Sequence, residues 1–193
     1  MKKIILAISG ASGVIYGIRL LQILKLEKNI ETHLIISESA RKTISLETNF
    51  SIKSIEKLSD KVYDFQDISA DISSGSFKTF GMFVVPCSIR TLSGIANSYN
   101  ENLIIRAADV ILKENRYLVL GIRETPIHIG HINLMHKACS IGAIIMPLVP
   151  SFYKKPKKIQ EIVDNTVNRM IDQMGIVLQK EILQRWKKNN FIG

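Results

Sequence analysis

The 193-residue chain has no uninterrupted apolar run near the roughly 20 residues a membrane helix requires, so a helical span is excluded and a soluble protein is expected. Its opening, Met1 to Ile8, is too short for a secretory signal and reads as a first strand. Cysteine is scarce: Cys87 and Cys139 stand without Cys-x-x-Cys spacing or a metal-type cluster. Disulfide scaffolds and structural zinc sites are thereby excluded, and a reducing cytoplasm fits two cysteines acting as small buried hydrophobes. Neither His-Glu-x-x-His nor G-x-G-x-x-G occurs, so no metal and no ordinary dinucleotide site is indicated. There is no RNA-binding aromatic signature, zinc-finger spacing, internal repeat or low-complexity linker.

A hydrophobic fraction of 46% is ample for one compact domain spanning residues 1–193. The formal net charge of +9 gathers after Ser151, in Lys154, Lys155, Lys157, Lys158, Lys180, Arg185, Lys187 and Lys188, beside Glu161, Asp164 and Glu181. Mixed signs there predict a solvated basic face, ending in a basic helix or tail from about residue 176, and no nucleic-acid partner. Trp186, within that tail, is either a packing anchor for the last helix or a subunit contact.

Apolar runs at 3–8, 33–36, 82–86, 117–122 and 143–146 read as buried parallel strands. Segments of helical period lie between them, marked by Ile15, Ile18, Leu21, Leu24 and Leu26, and by Ile104, Ala107, Ala108 and Ile111. This alternation predicts an α/β fold, a three-layer Rossmann or flavodoxin-like doubly wound sheet. Residues 49–79 read as a long functional loop, and Lys157 to Gly175 as a closing helix.

The turn Ser9-Gly10-Ala11-Ser12-Gly13 follows a strand and opens a helix, where backbone N–H groups can face a phosphate or simply make a tight turn. Pro86-Cys87-Ser88-Ile89-Arg90-Thr91 also follows an apolar strand, and Ser37 ends another, as a helix cap or a ligand contact. Strand ends in such sheets share one rim, so hydroxyls and glycines at three of them suggest a mononucleotide. Arg123 and Glu124 sit at the exit of a further strand, closed by Thr125-Pro126; burying them would be costly without a ligand or partner chain, which favours a site over a salt bridge. His128, His131 and His136 lack an accompanying carboxylate and read as helix-face, capping or ligand-lining residues.

In order and spacing, the chain from Lys3 to about Gly175 resembles the UbiX-type flavin prenyltransferases. The likeness is carried by Ser9 to Gly13, Glu47-Thr48, Ser74-Gly75-Ser76, Pro86 to Ser88, Asn102 to Asp109, Leu112 to Glu114, Arg123 to Pro126, Phe152-Tyr153 and Arg169. It implies an enzyme that binds reduced FMN and joins the dimethylallyl group of dimethylallyl phosphate to N5 and C6 of the flavin. The prenylated FMN so made is a cofactor for UbiD-type decarboxylases. The resemblance further implies that Gly10, Ala11, Ser12 and Gly13 hold FMN with Ser37, Ser88, Ile89, Arg90, Thr91, Arg106 and Arg123. By the same likeness Lys113, Arg123, Tyr153 and Arg169 meet the donor phosphate, and Glu47, Glu124 and Ser12 are the catalytic candidates.

Fixed cations and a phenol suit a departing phosphate without a metal. The chain departs from the family pattern at Asp67-Ile68-Ser69-Ala70, where relatives place an aromatic, and at Ile122, where they place proline. Relatives assemble as homo-oligomers, often dodecamers, with sites completed by neighbouring subunits. The alternatives are an FMN-dependent cysteine decarboxylase, whose catalytic histidine and Pro-x-x-Met-Asn element are not evident, and a flavin carrier. A carrier would have little use for Lys113, Glu124, Tyr153 and Arg169.

Overall fold

A computed structural model describes residues 1–179; Lys180, Glu181, Arg185, Trp186, Lys187 and Lys188 of the basic tail lie outside the described residues. The first half of the chain runs β1 (Lys2–Ile8), α1 (Val14–Leu24), β2 (Ile30–Ile36), α2 (Glu38–Glu47), α3 (Ile52–Glu56) and β3 (Lys61–Tyr63). The second half runs β4 (Gly81–Cys87), α4 (Ile89–Ala96), α5 (Leu103–Lys113), β5 (Tyr117–Ile122), α6 (Ile129–Ser140), β6 (Ile144–Ile145) and α7 (Ile159–Gln173). The strands form one sheet in the order β3-β2-β1-β4-β5-β6. All five pairings are parallel, as the apolar runs predicted.

Alternation along the strands builds two cores. Ile4, Leu6 and Ile8 of β1 pack with α1, α2 and α7 on one face, whereas Ile5 and Ala7 pack with α4 and α5 on the other. Both faces are covered, which is why β1 and β4 read as continuous apolar runs. A strand of seven residues spans about 20 Å, so the two ends of β4 are that far apart. The chain order reverses between β1 and β4, and ligands in such sheets bind outside the strand ends at that point.

Two expectations need correction. Residues 49–79 are not one long loop, because they hold α3, the edge strand β3 and a 3-10 turn at Asp71–Ser73. At three residues β3 is too short to show a period of two, and one of its apolar side chains, Val62, faces solvent. The first helix stops at Leu24, leaving Leu26 exposed in the following turn.

β3 is fastened to β2 by a buried imidazole. His33 Nδ1 lies 2.9 Å from the Tyr63 hydroxyl, with the two rings stacked and Phe77 edge-on to His33. Nε2 is 3.2 Å from Glu31 Oε1 but is not aligned for a hydrogen bond, so that contact is electrostatic only. Burial holds the His33 pKa below its ordinary value of 6.5; Lys61 and Lys3 add to the depression, while Glu31 and Asp60 oppose it. The fold therefore favours neutral His33 more than the unfolded chain does, and the unfolded chain takes up a proton first, below about pH 6.5. Its contribution to stability is complete above that pH and is lost as the pH falls through the lower folded-state pKa. Urea unfolding between about pH 7 and pH 5 should show this loss, and His33→Gln should flatten it.

Candidate functional site

Four strand ends meet on the rim at the reversal point. After β1 the chain turns through Gly10, Ala11 and Ser12, whose hydroxyl-bearing residue is exposed at the tip, into Gly13 at φ +92°, a left-handed conformation natural to glycine. After β2, Ser37 caps α2 by accepting from the Ala40 N–H at 3.1 Å. After β4, Ser88 caps α4 by accepting from the Thr91 N–H at 3.3 Å, and donates to Thr91 Oγ1 at 3.1 Å. After β5, the Arg123 N–H donates to Cys87 O at 3.3 Å. Arg123 and Glu124 are both exposed, so within one chain they carry none of the burial cost expected of them.

A cavity of about 420 Å³ opens between α2, α4 and the start of α5. Ser37, Ser88, Arg90 and Thr91 line it, so Ser37 both caps a helix and faces the cavity. The glycine turn borders it: a Cβ on Gly10 would lie 2.1 Å from the Oγ of Ser39, a lining residue. Sequence reasoning missed Ser39, Lys42, Phe65 and Asn102 in this wall. Three of them were legible: Ser39 and Lys42 share one helical face three residues apart, and Asn102 caps α5 by accepting from Ile105 N–H.

The N-terminus of α1 is already filled. Gly13, its N-cap, has no side chain to accept from the first turn, and Glu47 supplies the acceptor from the end of α2. Glu47 Oε2 accepts from Gly13 N–H at 2.8 Å and from Val14 N–H at 3.3 Å. A carboxylate is favoured there by the positive end of the helix. An anion entering the rim is thus left the N-termini of α2 and α4, beside Lys42 and Arg90.

Tyr153 and Arg169 line a second, smaller cavity of about 170 Å³ with Met146, Ser151, Asn165 and Thr166. It adjoins the glycine turn, because Leu148, between the lining residues Pro147 and Val149, touches the Cβ position of Gly13. Two polar cavities therefore flank one glycine turn.

The Flavoprotein family profile matches residues 1–171. The flavin prenyltransferase UbiX of Escherichia coli K12 is 54% identical over 187 residues, covering 97% of this chain and 99% of the relative. The chain belongs to the UbiX flavin prenyltransferase family. Two solved structures of UbiX-type proteins superpose closely. A dodecameric FMN-dependent UbiX-like decarboxylase from Escherichia coli O157:H7 has a TM-score of 0.92 at 43% identity, covering 96% of this chain and 99% of its own. AnUbiX (PadA1), in complex with FMN and dimethylallyl pyrophosphate, has a TM-score of 0.90 at 40% identity, with the same coverage.

Two residues expected in the site of this UbiX-type chain stand elsewhere. Arg106 donates to Ser73 O at 3.1 Å and pairs with Asp109 at 3.4 Å, away from the cavity wall. Lys113 ends α5 just before β5 begins, on the edge opposite the rim. Its Nζ bonds to Glu114 Oε1 at 2.8 Å, which holds the Glu114 carboxyl below the usual carboxylate range. Arg116 completes that cluster by donating to Gly75 O, Phe77 O and Thr79 Oγ1. Of the histidines, His128 caps α6 by accepting from Gly130 N–H and lies against His131 with the two rings tilted by 33°. Among the described residues no three His, Cys, Asp or Glu side chains converge as metal ligands. Cys87 is buried, its thiol pushed up by burial, whereas Cys139 is exposed.

Glu47→Ala removes the acceptor of two helix N–H groups, so the free protein should melt about 2–4 °C lower by calorimetry. Glu47→Gln, which keeps an acceptor oxygen, should lose less.

Proposed function

We propose that this chain is a metal-independent flavin prenyltransferase that joins the dimethylallyl group of dimethylallyl phosphate to N5 and C6 of reduced FMN. The observation that carries this reading is the pair of polar cavities on either side of the Gly10–Gly13 turn, in a chain 54% identical to a UbiX prenyltransferase. The larger cavity suits FMN: its volume is in the range of small-ligand sites, two capped helix N-termini and Lys42 receive the phosphate, and Gly10 leaves room where a side chain would meet Ser39. The smaller cavity suits the donor phosphate, with Tyr153 and Arg169 placed to hold it as it departs. Bound FMN supplies the nucleophilic atoms for both new bonds.

The chain's residues supply the rest. Arg169 and Tyr153 stabilise the charge that collects on phosphate when the allylic C–O bond breaks. Ser12, exposed at the tip of the turn, and Glu47, bound at its base, flank the place between the cavities. As the second bond forms, the five-carbon unit's double bond takes up one proton and C6 gives one up; Glu124, next to Arg123 on the rim, accepts the proton from C6, alone or through the released phosphate. Arg90, Ile89 and Thr91 belong to the flavin phosphate end, and Arg123 is shared between both ligands. Lys113, about 20 Å from the rim, serves the site of a second copy of the chain.

Assembly as a homo-oligomer, a dodecamer on the pattern of the UbiX-like neighbour, accounts for α6. Only Ala138 of its twelve residues is buried, and Ile129 and Ile132 face outward beside Ile127 and Ile141. The prenylated FMN passes to a UbiD-type decarboxylase. No helix among the described residues is long and apolar enough to cross a membrane. Two free cysteines support a cytoplasmic location.

Anaerobic incubation with reduced FMN and dimethylallyl phosphate should add one five-carbon unit to the flavin mass. Bound but unmodified FMN, also with the diphosphate donor, would overturn the reading in favour of the cysteine decarboxylase or carrier. In steady-state assays Arg169→Ala should raise the donor KM about 10- to 100-fold, since a charge-assisted hydrogen bond contributes about 1.5–3 kcal/mol.

A further inference from the structure

We propose that Ser9 is a positioning residue for the flavin phosphate: its buried hydroxyl fixes the N-terminus of α4 against the end of β1. The inference rests on the reading that FMN occupies the larger cavity. β1 and β4 pair in register from Ile4 with Gly81 to Ala7 with Val84, and there the ladder stops. Two residues on, Pro86 has no N–H with which to continue it. Ser9 takes over the pairing with its side chain. Its hydroxyl, in a residue only 1% exposed, donates to Pro86 O at 2.9 Å and accepts from the Ser88 N–H at 2.8 Å.

The backbone of Ser9 adds two further bonds. Its N–H donates to Pro86 O at 3.2 Å, and its carbonyl accepts from Ala11 N–H at 2.9 Å, which shapes the glycine turn. One residue thus joins both ligand-bearing loops, and every hydrogen bond of its hydroxyl goes to the loop that opens α4. Ser88 in turn caps α4 and spends its own hydroxyl on Thr91, so the placement of that helix end depends on where Ser9 holds Ser88. The first-turn N–H groups of Ile89 and Arg90 have no intrahelical partner and remain for the ligand.

Replacing Ser9 by alanine deletes one atom from a packed site, so the two core faces keep their apolar contacts. What is lost is the acceptor of Ser88 N–H and one donor to Pro86 O. The effect should accordingly fall on the phosphate end of the cavity and leave binding of the ring system largely unchanged.

The test is fluorescence titration of FMN and of riboflavin, which lacks the phosphate, against the wild-type chain, Ser9→Ala and Ser9→Thr. We expect Ser9→Ala to weaken FMN about tenfold or more, the loss of one buried hydrogen bond, and riboflavin far less. Ser9→Thr, which keeps the hydroxyl, should restore the FMN-to-riboflavin ratio. Should Ser9→Ala fail to fold, Ser9→Cys, with a weak donor and acceptor in the same place, must still lower that ratio. Equal weakening of both ligands, or unchanged FMN affinity, overturns the proposal. Wild-type protein that binds neither flavin would instead contradict the FMN reading itself.

Discussion

The direction of the strands governs everything else in this molecule. Because every neighbour in the sheet is parallel, all strand ends that carry glycine and serine turns lie on one rim, and all helices return behind it. Gly10–Gly13, Ser37, Ser88–Thr91 and Arg123 are far apart in sequence and adjacent in space for that single reason. The same constraint sends the end of α5, with Lys113, to the opposite edge. No side-chain rearrangement closes a gap of about 20 Å, because a lysine side chain is far shorter than a seven-residue strand.

Within the rim, charge is already apportioned. Glu47 satisfies the N-terminus of α1, which leaves the N-termini of α2 and α4 for a ligand anion on the side away from the cavity of Tyr153 and Arg169. A reaction that uses two phosphate-bearing molecules needs such a separation, since both phosphates in one place would repel each other. The exposed Arg123 and Glu124 lie where the two regions meet solvent. Their exposure in one chain fits a site whose outer wall comes from another copy, as does the outward apolar face of α6.

Much of this was legible in the sequence because the signals are strong ones. Short Ile- and Val-rich runs such as Ile4 to Ile8 and Met82 to Val85 read as strands covered on both faces, and a glycine turn after the first of them marks the rim. What was not legible depends on tertiary pairing. β3 carries too few residues for a period, and its place at the edge is set by His33 and Tyr63, which lie 30 residues apart. Phe65 enters the cavity wall through packing that no local pattern reports. Lys113 was identified by likeness to the family, but a likeness aligned along one chain does not say which copy's site a residue serves.

Sharing of the site between copies is the central claim, and subunit complementation tests it most directly. Lys113→Ala and Arg169→Ala chains, each giving little product alone at a donor concentration below the wild-type KM, would be dissociated together, reassembled and assayed for prenylated flavin at that same concentration. Recovered activity in the mixed oligomers is predicted, since some sites then receive an intact Lys113 from one chain and an intact Arg169 from another. Mixed oligomers that contain both chains and are no more active than either parent would contradict the account.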